Sequence, residues 1–435
     1  MEWLVLSLFC SGLLVSVLLG ISILYPLFAG LLIFFVYGRA KGFSAYALAK
    51  MAVDGILTAK NILITFFLIG MLTGIWRAAG TIPVIVFYAS GLIRLPVFLI
   101  MVFLLNCAVS VLTGTSFGTA ATIGVVCMTL ADALGISTAV CGGAVLSGIY
   151  FGDRCSPVST SALLVAELTN TDIFVNIKRM IRSSVLPFTA ACAVYAAAGF
   201  VFTADAGGSA AALKAVFERE FNLSPLTLIP AVVILVLSLV RVNVKLSMTA
   251  SILAAVPLCI VLQGASWGDT ALYMLRGFSA ANAQADAMLS GGGVVSMLKV
   301  AGIVCISSAY SGIFKETGLL DNIKAALHRL ANVSTSYIAS LITSVLTSMA
   351  VCNQTLAIML TQQLCGELEE DAYEFANDLE DTAVIVPALV PWSIACAVPL
   401  SSIGAPTQAV IFACYLYLLP LWRCLISVVL KQRRK

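Results

Sequence analysis

Long apolar runs recur along this chain from its first residues to its last twenty, and short polar segments separate them. Runs of about 20 apolar residues are long enough to cross a lipid bilayer as helices. The pattern therefore predicts an all-α polytopic membrane protein. Up to residue 262 the predicted spans cover 3–24, 26–37, 62–77, 97–112, 185–202, 226–240 and 246–262, and the pattern resumes at 294.

A polar stretch, residues 113–172, interrupts this pattern with Asp153, Arg154 and many hydroxyl groups. An ionisable side chain at membrane depth is costly unless it is paired or faces a polar cavity, so Asp153 is the predicted centre of an ion or substrate site. Pro157 follows four residues later. Because proline removes a backbone donor and forces the preceding residue out of helical geometry, the stretch predicts a broken helix beside Asp153.

Part of this pattern returns in the second half of the chain. The segment GIWRAAG at 74–80 matches GIFKETG at 312–318, which begins 238 residues later. The same offset aligns a first polar break, Thr115 and Ser116, with a second one, Asn353 and Gln354. The second half also repeats an aspartate, a proline and a serine in the same order, as Asp153, Pro157 and Ser159 and again as Asp381, Pro391 and Ser393.

Repeats that each hold a discontinuous helix are typical of secondary transporters. We therefore expect two repeats, in an inverted arrangement, whose broken or re-entrant helices meet near the bilayer midplane. The predicted regions are 1–60 (N-terminal spans and a cytoplasmic amphipathic segment), 61–204 (first transport repeat), 205–290 (connecting spans and a loop) and 291–435 (second transport repeat).

Composition excludes several classes of protein. Hydrophobic residues make up 61% of the chain and charged residues 10%, against about 25% charged in soluble domains. The net charge of +3 is small and dispersed, so no nucleic-acid partner is expected. The thirteen cysteines form no C-x-x-C pair and the only histidine is His328, which argues against a thiolate metal site and a histidine proton relay.

Two enzyme patterns also fail. Residues 114–118 fit G-x-S-x-G, but a nucleophile elbow needs a preceding strand and a histidine base, and the context here is helical. No Walker motif is present, which argues against an ATP-driven pump. The prediction is a transporter and not an enzyme.

The chemistry expected of Asp153 is ion exchange. Burial favours the protonated form of a carboxyl group and a bound cation displaces that proton, so one buried acid can exchange the two ions. Hydroxyls, amides and carbonyls freed at the breaks would complete the ligands of a hard cation. The candidate ion-binding residues are Asp153, as the Na+ site, with Thr115, Ser116, Ser156, Ser159, Asn353, Gln354, Asp381 and Ser393, and the helix breaks are at Pro157 and Pro391.

These residues also have structural interpretations. Arg154 or another basic residue could hold Asp153 in an ion pair, and hydroxyls in membrane helices often bond backbone carbonyls. The acidic run at 366–381 is interpreted as a solvated loop in which only Asp381 meets the next apolar segment. The basic amphipathic segment 172–184 is expected at the cytoplasmic interface and 264–287 as a loop.

Four sequence blocks resemble the NhaC-type sodium/proton antiporter family, in that family's order: GTSFGTAATIG at 114–124, SGIYFGDRCSPVS at 147–159, LTNTDIF at 168–174 and LEDTAVIVPALVPW at 379–392. The resemblance implies an exchanger of the ion-transporter superfamily in the inner membrane, with about 10–12 transmembrane helices and alternating access. Two positions depart from it. Thr160 stands where the family usually has an acid, and Ser393 where it usually has asparagine, which changes the expected charge of the site.

The predicted function is secondary active cation/proton antiport, with Na+ as the cation. The alternative is an ion-coupled carrier or exchanger of a small organic acid or amino acid, and an uncoupled channel is a third class. No cofactor is expected beyond the transported Na+ or other monovalent cation and H+. The expected partners are the lipid bilayer, the cargo and, as a candidate, a second copy of the chain in a homodimer. Basic residues at 39–60 and in the tail KQRRK predict a cytoplasmic C-terminus, and the family resemblance implies a location in the inner (plasma) membrane.

Overall fold

The computed structural model describes residues 2–18, 22, 24–89, 95–202, 217–240, 242–280, 286, 290–317 and 334–434. Their regular structure is helical, apart from an isolated bridge between Phe278 and Gly291. The all-α prediction is confirmed. His328 and the end of the GIFKETG segment lie outside the described residues.

The helices of the first half, up to residue 202, are α1 (Glu2–Leu18), α2 (Leu24–Ala40), α3 (Ala45–Thr58), α4 (Lys60–Ala78), α5 (Thr81–Ala89), α6 (Phe98–Thr113), α7 (Ser116–Thr119), α8 (Val125–Ala133), α9 (Thr138–Cys155), α10 (Thr160–Thr169) and α11 (Ile173–Phe202). A π-helical segment, Ala120–Gly124, joins α7 to α8. Short 3-10 segments cover Leu95–Val97, Pro225–Leu228, Val386–Leu389 and Thr407–Phe412.

The helices of the second half are α12 (Ile229–Leu239), α13 (Val244–Val261), α14 (Trp267–Arg276), α15 (Gly293–Ser296), α16 (Leu298–Thr317), α17 (Ser336–Val351), α18 (Gln354–Cys365), α19 (Ala372–Asp381), α20 (Ile394–Ser402) and α21 (Cys414–Arg434).

Several of these helices have the length and composition of membrane spans. Within the described residues four qualify, and a fifth span results if the bent pair Ala372–Leu389 and Ile394–Ser402, which turns by 57°, is counted as one. Seven shorter apolar helices of 10–17 residues accompany them. Only 22% of the apolar window of α11 is buried, as a helix that faces lipid requires. The polytopic membrane class is confirmed.

The first polar breaks of the two halves have the same local geometry. α6 ends at Thr113 and α17 ends at Val351, and each is followed by a residue in the left-handed conformation, Gly114 with φ of 66° and Cys352 with φ of 56°. The next residue in each case, Thr115 or Asn353, caps the following helix with its side chain. The pairs are 238 residues apart, so the offset read from the sequence describes a repeat of structure.

The second breaks also correspond. α9 ends at Cys155 and α10 begins at Thr160, which confirms the break predicted at Pro157. The starts of α19 and α20, at Ala372 and Ile394, each fall 234 residues after the starts of α9 and α10. At this offset Pro157 aligns with Pro391, whereas Asp153 aligns with Pro387, so Asp381 does not occupy the position equivalent to Asp153.

Close packing of α9 on α6 builds the centre of the first repeat. A Cβ atom added to Gly148 in α9 would lie 2.7 Å from both the Phe103 carbonyl oxygen and the Asn106 Cβ in α6. Only glycine fits at this distance. The backbone of α9 is thereby held next to α6, which leads directly into the first polar break.

Three expectations need correction. Residues 173–202 form one helix with Pro187 inside it, where the sequence indicated an interfacial segment followed by a separate span. The predicted loop at 264–287 contains α14. Most of the acidic run is helical, and residues 375–381 of α19 are buried where a solvated loop was expected. Helices from distant parts of the chain cover this segment, so its burial leaves no trace in local composition.

Candidate functional site

Asp153 lies near the end of α9 and only 3% of its surface is exposed. Its Oδ1 accepts a hydrogen bond of 3.0 Å from the Ser159 hydroxyl, on the other side of the first repeat's helix break. Its Oδ2 accepts one of 3.0 Å from Nε2 of Gln354, the first residue of α18. The carboxylate therefore connects a break of the first repeat with a break of the second.

The Gln354 side chain holds three chain segments together. Besides its bond to Asp153, Nε2 donates a hydrogen bond of 2.8 Å to the Val384 carbonyl oxygen, which follows α19. Asn353 Oδ1 accepts from the backbone N–H of Leu356 at 3.3 Å and caps the same helix. The amide of Gln354 thus positions the Asp153 carboxylate, while Asn353 fixes the helix that carries Gln354.

The start of α7 lies on another side of the carboxylate. The backbone N–H of Ser116 faces Asp153. Thr115 Oγ1 accepts a hydrogen bond of 3.2 Å from the Gly118 N–H and so caps the helix. The helical segment continues to Ala133, and its positive N-terminal end stabilises a nearby anion. Ser116 takes part through its backbone and Thr115 through its cap.

The remaining predicted serines have different positions. Ser156 donates a hydrogen bond of 2.7 Å to the Val111 carbonyl oxygen, and Ser393 donates one of 3.3 Å to the Cys352 carbonyl oxygen. The first bond joins the break after α9 to the end of α6. The second joins the break before α20 to the end of α17. These two hydroxyls stabilise the breaks, and in the described structure neither is hydrogen-bonded to the Asp153 carboxylate.

The two helix-break prolines, Pro157 and Pro391, lie in the non-helical segments between consecutive helices. Pro157 lies between α9 and α10, and Pro391 lies between the 3-10 segment that ends at Leu389 and α20. Next to Pro391, the Trp392 indole N–H donates a hydrogen bond of 3.0 Å to the Met349 carbonyl oxygen. The chain is thus non-helical at both prolines, as the sequence predicts.

Arg154 pairs with Asp381 and not with Asp153. Both side chains are fully buried, and the guanidinium Nη2 contacts the Asp381 carboxylate directly. Arg154 also donates to Ser184 Oγ at 2.6 Å and to the Met180 carbonyl oxygen at 3.0 Å. Adjacent residues of a helix point about 100° apart, so Arg154 faces α11 and α19 while Asp153 faces the breaks. Among the described residues no basic side chain is ion-paired with Asp153.

Asp381 has a second basic partner in α21. Arg423 Nε lies 2.8 Å from Asp381 Oδ2, and its Nη2 lies 3.0 Å from Asp378 Oδ1 and 2.7 Å from Glu374 Oε1. Asn377 donates a further bond of 3.1 Å to Asp381 Oδ2. The structure therefore places Asp381 in an ion-pair network that ties α9, α19 and α21 together, beside the hydrogen-bond network of Asp153.

The family model for the Na+/H+ antiporter family matches residues 3–163 and 148–430, which together span nearly the whole chain. The chain belongs to this family.

Proteins similar to this chain are named for different cargoes. The Na+/H+ antiporter NhaC of Alkalihalophilus pseudofirmus is 27% identical over 406 residues, covering 91% of this chain and 87% of that protein. The malate-2H+/Na+-lactate antiporter of Bacillus subtilis is 26% identical over 392 residues, covering 87% and 83%. The arginine/ornithine antiporter ArcD of Halobacterium salinarum is 26% identical over 404 residues, covering 90% and 83%. Because the chain belongs to the Na+/H+ antiporter family, it is a multi-pass membrane transporter. Its cargo must be inferred from the site.

Three further residues of this antiporter-family site were not predicted as site residues. Ser161 Oγ lies 2.8 Å from Ser159 Oγ and donates to the Asp153 carbonyl oxygen at 3.3 Å. Its place two residues after Ser159 could have indicated this role. Arg423 is a lone basic residue in the apolar run 414–430, which is itself a signal for a buried partner. Glu380 is fully buried beside Asp381, yet it appeared in the sequence as part of a solvated acidic run.

A Gln354→Leu substitution tests the bridge between the two repeats. Leucine keeps the approximate size but removes the donor to Asp153 and Val384. A hydrogen bond to a charged group contributes about 1.5–3 kcal/mol, so we expect the apparent affinity for the transported cation to fall about 10- to 100-fold. The measurement is the cation concentration that gives half-maximal exchange in proteoliposomes.

Gln363→Leu, on the exposed side of the same helix, is the control and should keep wild-type affinity. Equal affinities in the two variants would show that Gln354 does not support the site.

Proposed function

We propose that this protein exchanges a monovalent cation, with Na+ the first to test, for protons, and that Asp153 binds the two ions in alternation. The observation that carries this proposal is the Asp153 carboxylate. It is buried, free of any ion pair among the described residues, and hydrogen-bonded to both helix breaks through Ser159 and Gln354. Membership in the Na+/H+ antiporter family supports the same chemistry.

The groups around Asp153 suit a small, hard cation. The serine hydroxyl and glutamine amide offer neutral oxygen atoms beside one anionic carboxylate, and helix breaks free backbone carbonyls for coordination. In the cation-bound state the carboxylate is ionised. When the cation leaves, a proton takes its place and keeps the buried group neutral. A site that cannot hold an uncompensated charge couples the two ions, because it releases one only as the other arrives.

Alternating access requires that this exchange occurs on each side of the membrane in turn. Asp153 and Ser159 belong to the first predicted repeat and Gln354 to the second, so relative movement of the repeats would open the site to one face and then to the other. We propose a plasma-membrane location, which membership in the antiporter family supports. We also propose a cytoplasmic C-terminus, because basic residues accumulate at 39–60 and 431–435.

Everted membrane vesicles test the proposal directly. A pH gradient is established, single salts of Na+, K+, Li+ and choline are added, and the collapse of the gradient is followed with a fluorescent pH indicator. We expect Na+ to collapse the gradient in a saturable manner and choline to leave it unchanged. Vesicles from cells that lack the protein are the control. A gradient that responds to none of the metal cations would contradict cation/proton antiport.

A second candidate is supported by the relatives, two of which are named for organic cargoes. Under this alternative the protein exchanges a small carboxylate or amino acid, and the N-termini of α7 and α18 hold the substrate carboxylate. Counterflow of a labelled organic acid or amino acid, with no cation-driven proton movement in the vesicle assay, would favour it.

A further inference from the structure

Glu380 is a buried carboxylate that the ion-pair network leaves without a partner. Its side chain is fully buried, and neither of its oxygen atoms has a hydrogen-bond partner among the described residues. An ionised carboxylate in an apolar interior is strongly unfavourable unless it is paired. Glu380 must therefore be neutralised by a proton or by a cation that is not part of the chain.

The helix geometry explains why Arg423 does not neutralise Glu380. Glu374, Asp378 and Asp381 are spaced along one stripe of α19 and all contact Arg423. Glu380 comes two residues after Asp378, which turns it about 200° around the helix from that residue. Its side chain therefore points away from the stripe that Arg423 contacts.

Glu380 and Asp153 are related through the ion pair between Arg154 and Asp381. Asp153 directly precedes Arg154 in α9, Glu380 directly precedes Asp381 in α19, and Arg154 contacts Asp381. The charged or titratable groups that interact with Glu380 are Arg154, Asp153, Asp381 and the Cys155 thiol. The two carboxylates thus flank one ion pair and share its electrostatic environment.

The charges of this cluster do not cancel. Two guanidinium groups, those of Arg154 and Arg423, are matched by the two buried carboxylates that they contact, Asp378 and Asp381. Glu374 is 42% exposed and reaches water. Within the described part of the chain, Asp153 and Glu380 remain as two buried acids that no basic side chain pairs with. Two protons neutralise both acids, whereas one bound monovalent cation leaves the pair with a single negative charge next to Arg154, so an exchange of two protons for one cation moves one net charge per turnover.

We propose that Glu380 is a second carboxylate of the transport site, so that one turnover exchanges two protons for the cation. This inference rests on the antiport proposed above. As the cation enters, each carboxyl group loses its O–H proton to the open side of the membrane. As the cation leaves, each carboxylate takes up a proton, and no other bond forms or breaks.

The test is Na+-driven exchange in proteoliposomes that contain the wild-type protein or Glu380→Gln, with the half-saturating Na+ concentration measured over a range of pH. Each competing proton makes the logarithm of that concentration fall by about one per pH unit. We expect a slope of about two for the wild type and about one for Glu380→Gln, with apparent Na+ affinity lower by at least about tenfold in the variant, because ligand charge tunes cation affinity.

Two further variants make the outcome unambiguous. Glu370→Gln makes the same change at an exposed residue and should keep the wild-type slope and affinity. Glu380→Asp keeps the carboxylate and should keep a slope of about two; if Glu380→Gln is not recovered from the membrane, a slope of one in Glu380→Asp overturns the inference. A wild-type slope of one, or an unchanged slope in Glu380→Gln, overturns the role of Glu380 and leaves antiport standing. Absence of any Na+-dependent exchange in the wild type overturns both.

Discussion

Asp153→Asn is expected to reduce the rate of cation/proton exchange by at least about 100-fold. This corresponds to an increase of about 2.7 kcal/mol in the activation free energy of transport. Asparagine nearly keeps the shape of aspartate, and it can still accept a hydrogen bond from Ser159. It cannot be ionised, so it neither binds a cation strongly nor carries a proton across the cycle. The measurement is the initial rate of Na+-dependent pH change in everted vesicles, normalised to the amount of protein in the membrane.

Asp172→Asn is the matched control for this experiment. Asp172 is exposed before α11, and its Oδ1 accepts hydrogen bonds of 2.9 Å and 3.1 Å from the backbone N–H groups of Phe174 and Val175. Asparagine caps helices about as well as aspartate, so exchange and expression should both remain at wild-type levels. If Asp153→Asn keeps normal pH-dependent exchange, the mechanism that uses a buried Asp153 is wrong.

Asp381→Asn is expected to damage the folded protein more than it changes the exchange chemistry. Asp381 neutralises Arg154, which is fully buried, and also contacts Arg423. Removal of one partner of a buried ion pair leaves an uncompensated charge and costs about 3–5 kcal/mol. We expect a lower melting temperature in detergent and less protein in the membrane, and these are measured by size-exclusion chromatography after heating.

A double variant separates charge balance from a direct role in transport. Arg154→Met together with Asp381→Asn removes one positive and one negative charge, and leaves Arg423 with Asp378. Apolar replacement of a buried pair is often neutral for stability, so the double variant should regain much of the melting temperature lost in Asp381→Asn. A melting temperature for Asp381→Asn equal to that of the wild type would mean that the network does not hold the three helices together.

Local sequence was sufficient to recognise the membrane class and the broken helices, and to predict that Asp153 is buried. Hydropathy and proline act over a few residues, so apolar runs and the break at Pro157 can be read directly from the chain. A carboxylate inside an apolar run can be recognised in the same way, because an ionisable group at membrane depth is energetically costly. The 238-residue offset also aligned Ser116 with Gln354, and these two residues are the first of α7 and α18.

Pairing and burial depend on residues that are far apart in sequence, and they could not be read in this way. Arg154 is adjacent to Asp153, but its guanidinium contacts Asp381, 227 residues away, because consecutive residues of a helix point in different directions. Glu380 belongs to an acidic segment whose composition is that of an exposed loop, and it is buried because helices from elsewhere in the chain pack around α19. Which carboxylates are paired with arginine, and which two have no basic partner among the described residues, is therefore a property of the folded arrangement alone.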